Sequence, residues 1–193
     1  KKGARIRLTV MLKKLFARYP AYFDDFAASP SLAQSIRDDI ATSAKDIRHL
    51  VKSINDVYSH KHGSDLFKAT NKTALALNAI GDQVTDVNQY KSLVANLYFL
   101  FRESTGTRID EALPQSFIDI NDLRTANEHD VDHGKASKVA KKNKRLGATY
   151  AKYFGVGSPD TTSSNGFVVG HSNMLAALVL DLQALRRSIV GGE

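Results

Sequence analysis

Apolar residues recur every three or four positions through most of this chain. The clearest series is Leu32, Ile36, Ile40, Ala44, Ile47, Val51, Ile54 and Tyr58. That spacing returns side chains to one face of a helix and predicts a long helix over about 30–59. Ser29-Pro30 supplies its start, since serine offers a capping oxygen and proline lacks a donor that the first turn would leave unused. His60-Lys61-His62-Gly63 closes it. Upstream, Ile6, Leu8, Met11, Leu12, Leu15 and Phe16 mark a helix over 4–18, ended by Tyr19-Pro20. Its apolar set is broad enough to pack on two sides or to dock onto something else.

Downstream, Ser64-Asp65 reads as the opening of a helix through Leu66, Phe67, Thr70, Ala74, Leu77 and Ile80, stopped at Gly81. Thr85 or Asp86 caps the next, which carries Val87, Tyr90, Leu93, Val94, Leu97, Tyr98 and Phe101. The run Leu97 to Phe101 is apolar nearly all round, so this helix is expected to lie centrally. Phe117, Ile120 and Leu123 carry a helix to about His129, and Ala136, Val139, Leu146, Tyr150 and Tyr153 form a thin stripe over 135–154. A closing helix over about 167–190 holds Met174, Leu175, Leu178, Val179, Leu182, Leu185 and Ile189. The expectation is an all-α fold: a single up-and-down bundle of five to seven helices over 27–193, with an N-terminal helical appendage over 1–26.

Composition narrows the class. At 193 residues and 42% hydrophobic content the chain can bury one sizeable core. Its mean hydropathy is −0.28, and no apolar run stands out as the roughly 20 residues that a membrane span requires, so no membrane partner is expected. The absence of cysteine removes disulfides, cysteine nucleophiles and thiolate metal sites, and it fits a reducing, cytoplasmic compartment. The sequence begins Lys-Lys-Gly, which suggests a domain of a longer polypeptide whose other parts are further partners.

Charge is the least even property. The net charge is +7, and the seven cations Lys135, Lys138, Lys141, Lys142, Lys144, Arg145 and Lys152 fall in one stretch without a carboxylate. Outside that stretch the chain is neutral. Charge runs are usually solvated faces, but seven of one sign following a polar cluster point to a polyanion, with RNA the expected partner of Lys135, Lys138, Lys141, Lys142, Lys144 and Arg145.

The polar cluster is Asn121 to Gly134, with two His, one Arg, one Glu and three Asp in fourteen residues. Arg124 and His129 stand out within it. A guanidinium is a permanent cation suited to phosphate, and an imidazole can take or give a proton near neutral pH. Five helical residues separate the two by roughly 140° about the axis and about 7.5 Å along it. They converge on one substrate only if the helix loosens near His129 or a second subunit supplies half of the site, so a homodimer is expected. The plainer alternative pairs Arg124 with Glu128 one turn on and leaves His129 to favour the helix C-terminus.

An Arg followed after four residues by His, late in an all-helical domain, resembles the motif of the HEPN superfamily (higher eukaryotes and prokaryotes nucleotide-binding). The resemblance implies a metal-independent endoribonuclease of the kind found in toxin–antitoxin, abortive-infection and RNA-processing systems, generally a dimer. The residue after the family Arg is often Asn, His or Asp, and here it is Thr125. On this reading Arg124 holds the scissile phosphate, His129 moves the proton, and Thr125 and Asn127 assist through hydrogen bonds. No cofactor is expected. Gly155-Val156-Gly157 lacks the third glycine of a dinucleotide fingerprint. His129 and His133 lie four apart as in a zinc helix, yet Asp130 stands where the usual Glu would be and no third ligand is close. The rival classes are a non-catalytic nucleic-acid or protein-binding module and a regulatory domain of a larger chain.

Overall fold

The computed structural model describes residues 30–109, 113–128 and 136–191. The expected appendage over 1–26 lies outside them. Among the described residues there are six α-helices and no strand: α1 (Pro30–His62), α2 (Asn71–Ala79), α3 (Val87–Tyr98), α4 (Gln115–Glu128), α5 (Ala136–Phe154) and α6 (Ser164–Gly191). The all-α bundle therefore stands as the pattern predicts.

The helices α1 and α6 make the most extensive pairing. Ile40, Ala44, Ile47, Val51 and Ile54 of α1 are all buried, as are Met174, Leu175, Leu178, Leu182 and Leu185 of α6. Their three- and four-residue spacings give each helix one apolar stripe, and burying the stripes against each other is what stabilises both. By length and composition alone α6 could cross a bilayer, contrary to the expectation that no run stands out in this way. In the fold it is a core helix, touching α1, α3, α4 and α5. Its Gly170 lets Phe154 of α5 come so close that a β-carbon there would lie 2.0 Å from the ring.

Local chemistry explains the boundaries. Gly63, at φ +71°, takes the left-handed conformation that ends α1, and its N–H donates to the Ser59 carbonyl at 2.8 Å. The expected helix start at Ser64-Asp65 is not observed. Residues 64–70 run as a loop instead, because Asn55 of α1 meets Phe67 with both ends of its amide. Asn55 Nδ2 donates to the Phe67 carbonyl and Phe67 N–H donates to Asn55 Oδ1, each at 2.8 Å. Thr70 then caps α2 by accepting from Thr73 N–H at 3.1 Å. Of the two caps anticipated for α3, Asp86 serves, its Oδ1 accepting from Asn88 and Gln89 N–H at 2.8 and 2.9 Å.

The helix α3 continues into a π-helical turn over Phe99–Glu103, closed by Ser104 N–H donating to the Phe99 carbonyl at 2.9 Å. The wider turn keeps Leu100 and Phe101 buried, with Phe101 tilted against Phe117 of α4 at 5.0 Å. The start of α4 is held from across the bundle, where Asp181 of α6 accepts from Ser116 N–H at 2.8 Å. Full burial leaves one titratable group of α6 in the core: His171, whose Nε2 lies 2.8 Å from the Ile80 carbonyl and whose Nδ1 has no partner. Burial pushes the pKa of His171 below its ordinary value, with the Ile80 carbonyl and Asp82 opposing, so a neutral ring that donates from Nε2 fits the site.

Candidate functional site: the seam of α4 and α5

Helix α4 divides its faces as the sequence anticipates. Phe117, Ile120 and Leu123 are buried in the common core. Its flank toward α5 carries two carboxylates one turn apart, Asp119 and Asp122, both buried. Burial alone would raise a carboxylate's pKa, so each needs donors to remain charged.

Asp119 has three. It accepts from Gln115 Nε2 at 2.8 Å, from Lys152 Nζ at 2.6 Å and from the Tyr153 hydroxyl at 2.7 Å. Burial is the largest single influence on Asp119 and acts upward, but these donors together outweigh it and hold the pKa below its ordinary value. Asp122 meets the Arg145 guanidinium at 2.5 Å through Nη2. Here burial wins: it raises the pKa, Asp119 adds to the rise, and Arg145 and Lys142 oppose it. Of the cations expected on an RNA-binding face, Arg145 is therefore ion-paired within the fold. Lys152, from the same basic stretch, is paired as well.

The rest of the basic helix is open. Lys141 and Lys144 are exposed and Lys142 and Val139 are half-buried, while Leu146, Tyr150 and Tyr153 turn inward. Lys138 falls on α5 by its backbone, and Lys135 lies outside the described residues.

Arg124 is half-buried, and its guanidinium carbon sits 4.5 Å from the centre of the Tyr98 ring on α3. A cation at that distance over an aromatic face is attracted by the ring's quadrupole, which fixes the side chain against α3. Thr125 donates its hydroxyl proton to the Asn121 carbonyl at 2.7 Å, which leaves only its oxygen lone pairs for other work. Asn127 turns its amide nitrogen into the protein without a hydrogen-bond partner. It lies near enough to the Tyr90 hydroxyl to pull that group's pKa down, against burial and Tyr150, which raise it. Tyr90 in turn donates to the Tyr150 hydroxyl at 2.9 Å, so α3, α4 and α5 meet at a buried polar point just inside the end of α4.

The structure thus brings Arg124, Thr125 and Asn127 together on the last turns of α4 and places Arg145 beside the same helix. His129, and with it the alternative His129–His133 metal pair, lies outside the described residues. Among the described residues no three His, Asp or Glu side chains gather as a metal ion would need. Sequence reasoning missed Asp119, Asp122 and the Tyr90–Tyr150 pair. The spacing of the two Asp, three apart on one helix, places them on one face, but it does not say which cations of the next helix meet them. The chain matches no family model, no curated protein and no solved structure.

Proposed function

We propose that this bundle is a metal-independent endoribonuclease, with Arg124 gripping the scissile phosphate and His129 transferring the proton. The observation that carries the reading is the placement of Arg124. It is held on Tyr98 in the last turns of a helix that ends at Glu128, the residue before His129 in the sequence, beside a helix whose Lys141 and Lys144 are exposed. RNA carries its own nucleophile, the 2′-hydroxyl. The protein then has to deprotonate it, protonate the leaving 5′-oxygen and stabilise the charge that develops on phosphorus. An imidazole suits the proton steps, commonly worth about 10²–10⁴-fold in rate. A guanidinium suits the charge. Products ending in a 2′,3′-cyclic phosphate are expected, and the likeness to the HEPN motif points the same way, including a toxin or phage-defence role.

On an ideal helix continued to His129, Arg124 and His129 would stand roughly 140° apart, which favours a homodimer in which each phosphate meets Arg from one subunit and His from the other. Mixing Arg124→Ala with His129→Ala then restores part of the activity, provided the subunits exchange.

A second reading is favoured by a specific observation: Arg124 packs on Tyr98, and Arg145 and Lys152 are paired with Asp122 and Asp119. Cations so placed are what a non-catalytic binding module would also show. Incubating the purified chain with end-labelled RNA in EDTA separates the two. Cleavage lost in Arg124→Ala and His129→Ala, both still folded by circular dichroism, supports the nuclease. RNA bound but left intact by the wild type supports the module, and activity abolished by EDTA and restored by zinc replaces both with a metal mechanism on His129 and His133.

A further inference from the structure

The two ion pairs of the α4–α5 seam differ in a way that gives them different work. Asp119 is saturated by three donors, one from its own helix and two from α5, and it acts as a knot between the helices. Asp122 meets Arg145 through a single guanidinium nitrogen. Its side chain is 5% exposed whereas that of Arg145 is 62% exposed. The guanidinium therefore straddles the seam, anchored at one corner with most of its surface in water. Arginine has five N–H donors in a rigid plane, and Asp122 engages one nitrogen of the three. Lys142 of α5 is near enough to act on Asp122, and Asp119, Gln115, Lys152 and Tyr153 are further polar groups of the seam.

An arginine on an open helix surface samples many rotamers and must be ordered when it binds. Here that ordering is done in advance by a carboxylate too buried to meet the ligand itself. We propose that Asp122 is a positioning residue that presents Arg145 as a preset fork for one phosphate of a bound RNA strand, with Lys142 beside it. The proposal rests on the RNA-binding half of the function proposed above and is independent of cleavage. It deals with orientation, and its signature is a reversal of sign. By charge alone, removing a carboxylate next to a polyanion site strengthens binding. By orientation, removing Asp122 weakens it.

The test is a double-mutant cycle on the full chain, read by fluorescence anisotropy with a short 2′-O-methyl RNA, which lacks the nucleophile and stays intact. Asp122→Ala is expected to weaken binding roughly threefold to tenfold, the cost of ordering one flexible side chain on binding. Asp122→Asn, which keeps an acceptor oxygen, recovers most of that loss. In an Arg145→Gln background the same Asp122→Ala change no longer weakens binding. Tighter binding by Asp122→Ala in the wild-type background overturns the proposal.

Should Asp122→Ala not fold, Arg145→Lys decides: it keeps the charge and loses the fork, so affinity equal to wild type overturns the proposal and a loss supports it. Inorganic tripolyphosphate is the second arm. Binding of tripolyphosphate with the same dependence on Asp122, without binding of RNA, keeps the fork for free phosphate and overturns the RNA assignment. RNA binding with no coupling between Asp122 and Arg145 overturns the positioning role alone. A wild type that binds neither overturns both.

Discussion

Lowering the pH through the histidine range should loosen this protein at His171. The ring is fully buried on α6. Its Nε2 holds the Ile80 carbonyl at the end of α2, and Nδ1 faces no partner. A second proton would have to enter at Nδ1, in the core, with nothing to receive its hydrogen bond. Burial accordingly pushes the pKa down from 6.5, with the Ile80 carbonyl and Asp82, the charged neighbour, resisting. The sign follows. The unfolded chain binds this proton more tightly than the folded one, so stability is fully present above about pH 6.5 and falls as pH drops from there toward the lowered folded value. One proton bound only by the unfolded chain removes at most about 1.4 kcal/mol per pH unit.

His171→Leu removes the titration and also strips the Ile80 carbonyl of its donor, a loss of about 1–3 kcal/mol at neutral pH. Urea denaturation of wild type and variant at about pH 7.5 and about pH 5.5 tests the reasoning. The gap between them should narrow by up to about 1.4 kcal/mol at the lower pH, because only the wild type is destabilised by the proton. Shifts at carboxylates common to both proteins cancel in the comparison. Parallel pH curves for the two proteins would refute the argument.

Other outcomes follow from single interactions. Gly170→Ala, which in an ordinary helix gains up to about 1 kcal/mol, should here destabilise by about 1–3 kcal/mol in thermal melts, because the new β-carbon runs into the Phe154 ring. Asp181→Ala should cost about 0.5–2 kcal/mol by uncapping Ser116 N–H at the start of α4, with the m-value in urea unchanged. Asn127→Leu should shift stability by no more than about 1 kcal/mol, since the buried amide nitrogen makes no full hydrogen bond and loses only its approach to the Tyr90 hydroxyl, whereas any role in RNA chemistry would appear as a drop in cleavage without a matching drop in melting temperature. Neutralising Lys141, Lys142 and Lys144 together should flatten the dependence of RNA binding on salt by about 0.7 for each phosphate that the variant no longer engages.

The helices were legible where one chain segment decides the matter. The stripe from Ile40 to Ile54 announces α1, and Gly63 and Asp86 mark an end and a start through their own conformational and hydrogen-bonding preferences. Illegible features depended on partners far along the chain. Leu66 and Phe67 continue a helical apolar pattern, yet Asn55, twelve residues earlier, captures the Phe67 backbone and holds the segment as a loop. Nothing local marks the π turn at Phe99. At the candidate site, the spacing of Arg124 on a helix with a buried opposite face was readable. That Arg145 and Lys152 answer Asp122 and Asp119, 23 and 33 residues away, was not readable, because a run of cations looks alike whether it faces water or a buried carboxylate and the helical spacing of the two Asp does not say which cations meet them.

The pairing of α1 with α6 also governs how the chain comes to be made. The two helices most dependent on each other lie at opposite ends of the described sequence. At ribosomal rates of about 5–20 residues per second, roughly a hundred residues and 5–20 s separate the completion of α1 from the first turn of α6. During that interval Ile40, Ile47 and Ile54 have no final partner, and the nascent chain shows an isoleucine stripe to whatever is near. Assembly of the α1–α6 pair therefore waits on α6. Cutting short α6 should yield a chain that chaperones retain, in place of a smaller bundle.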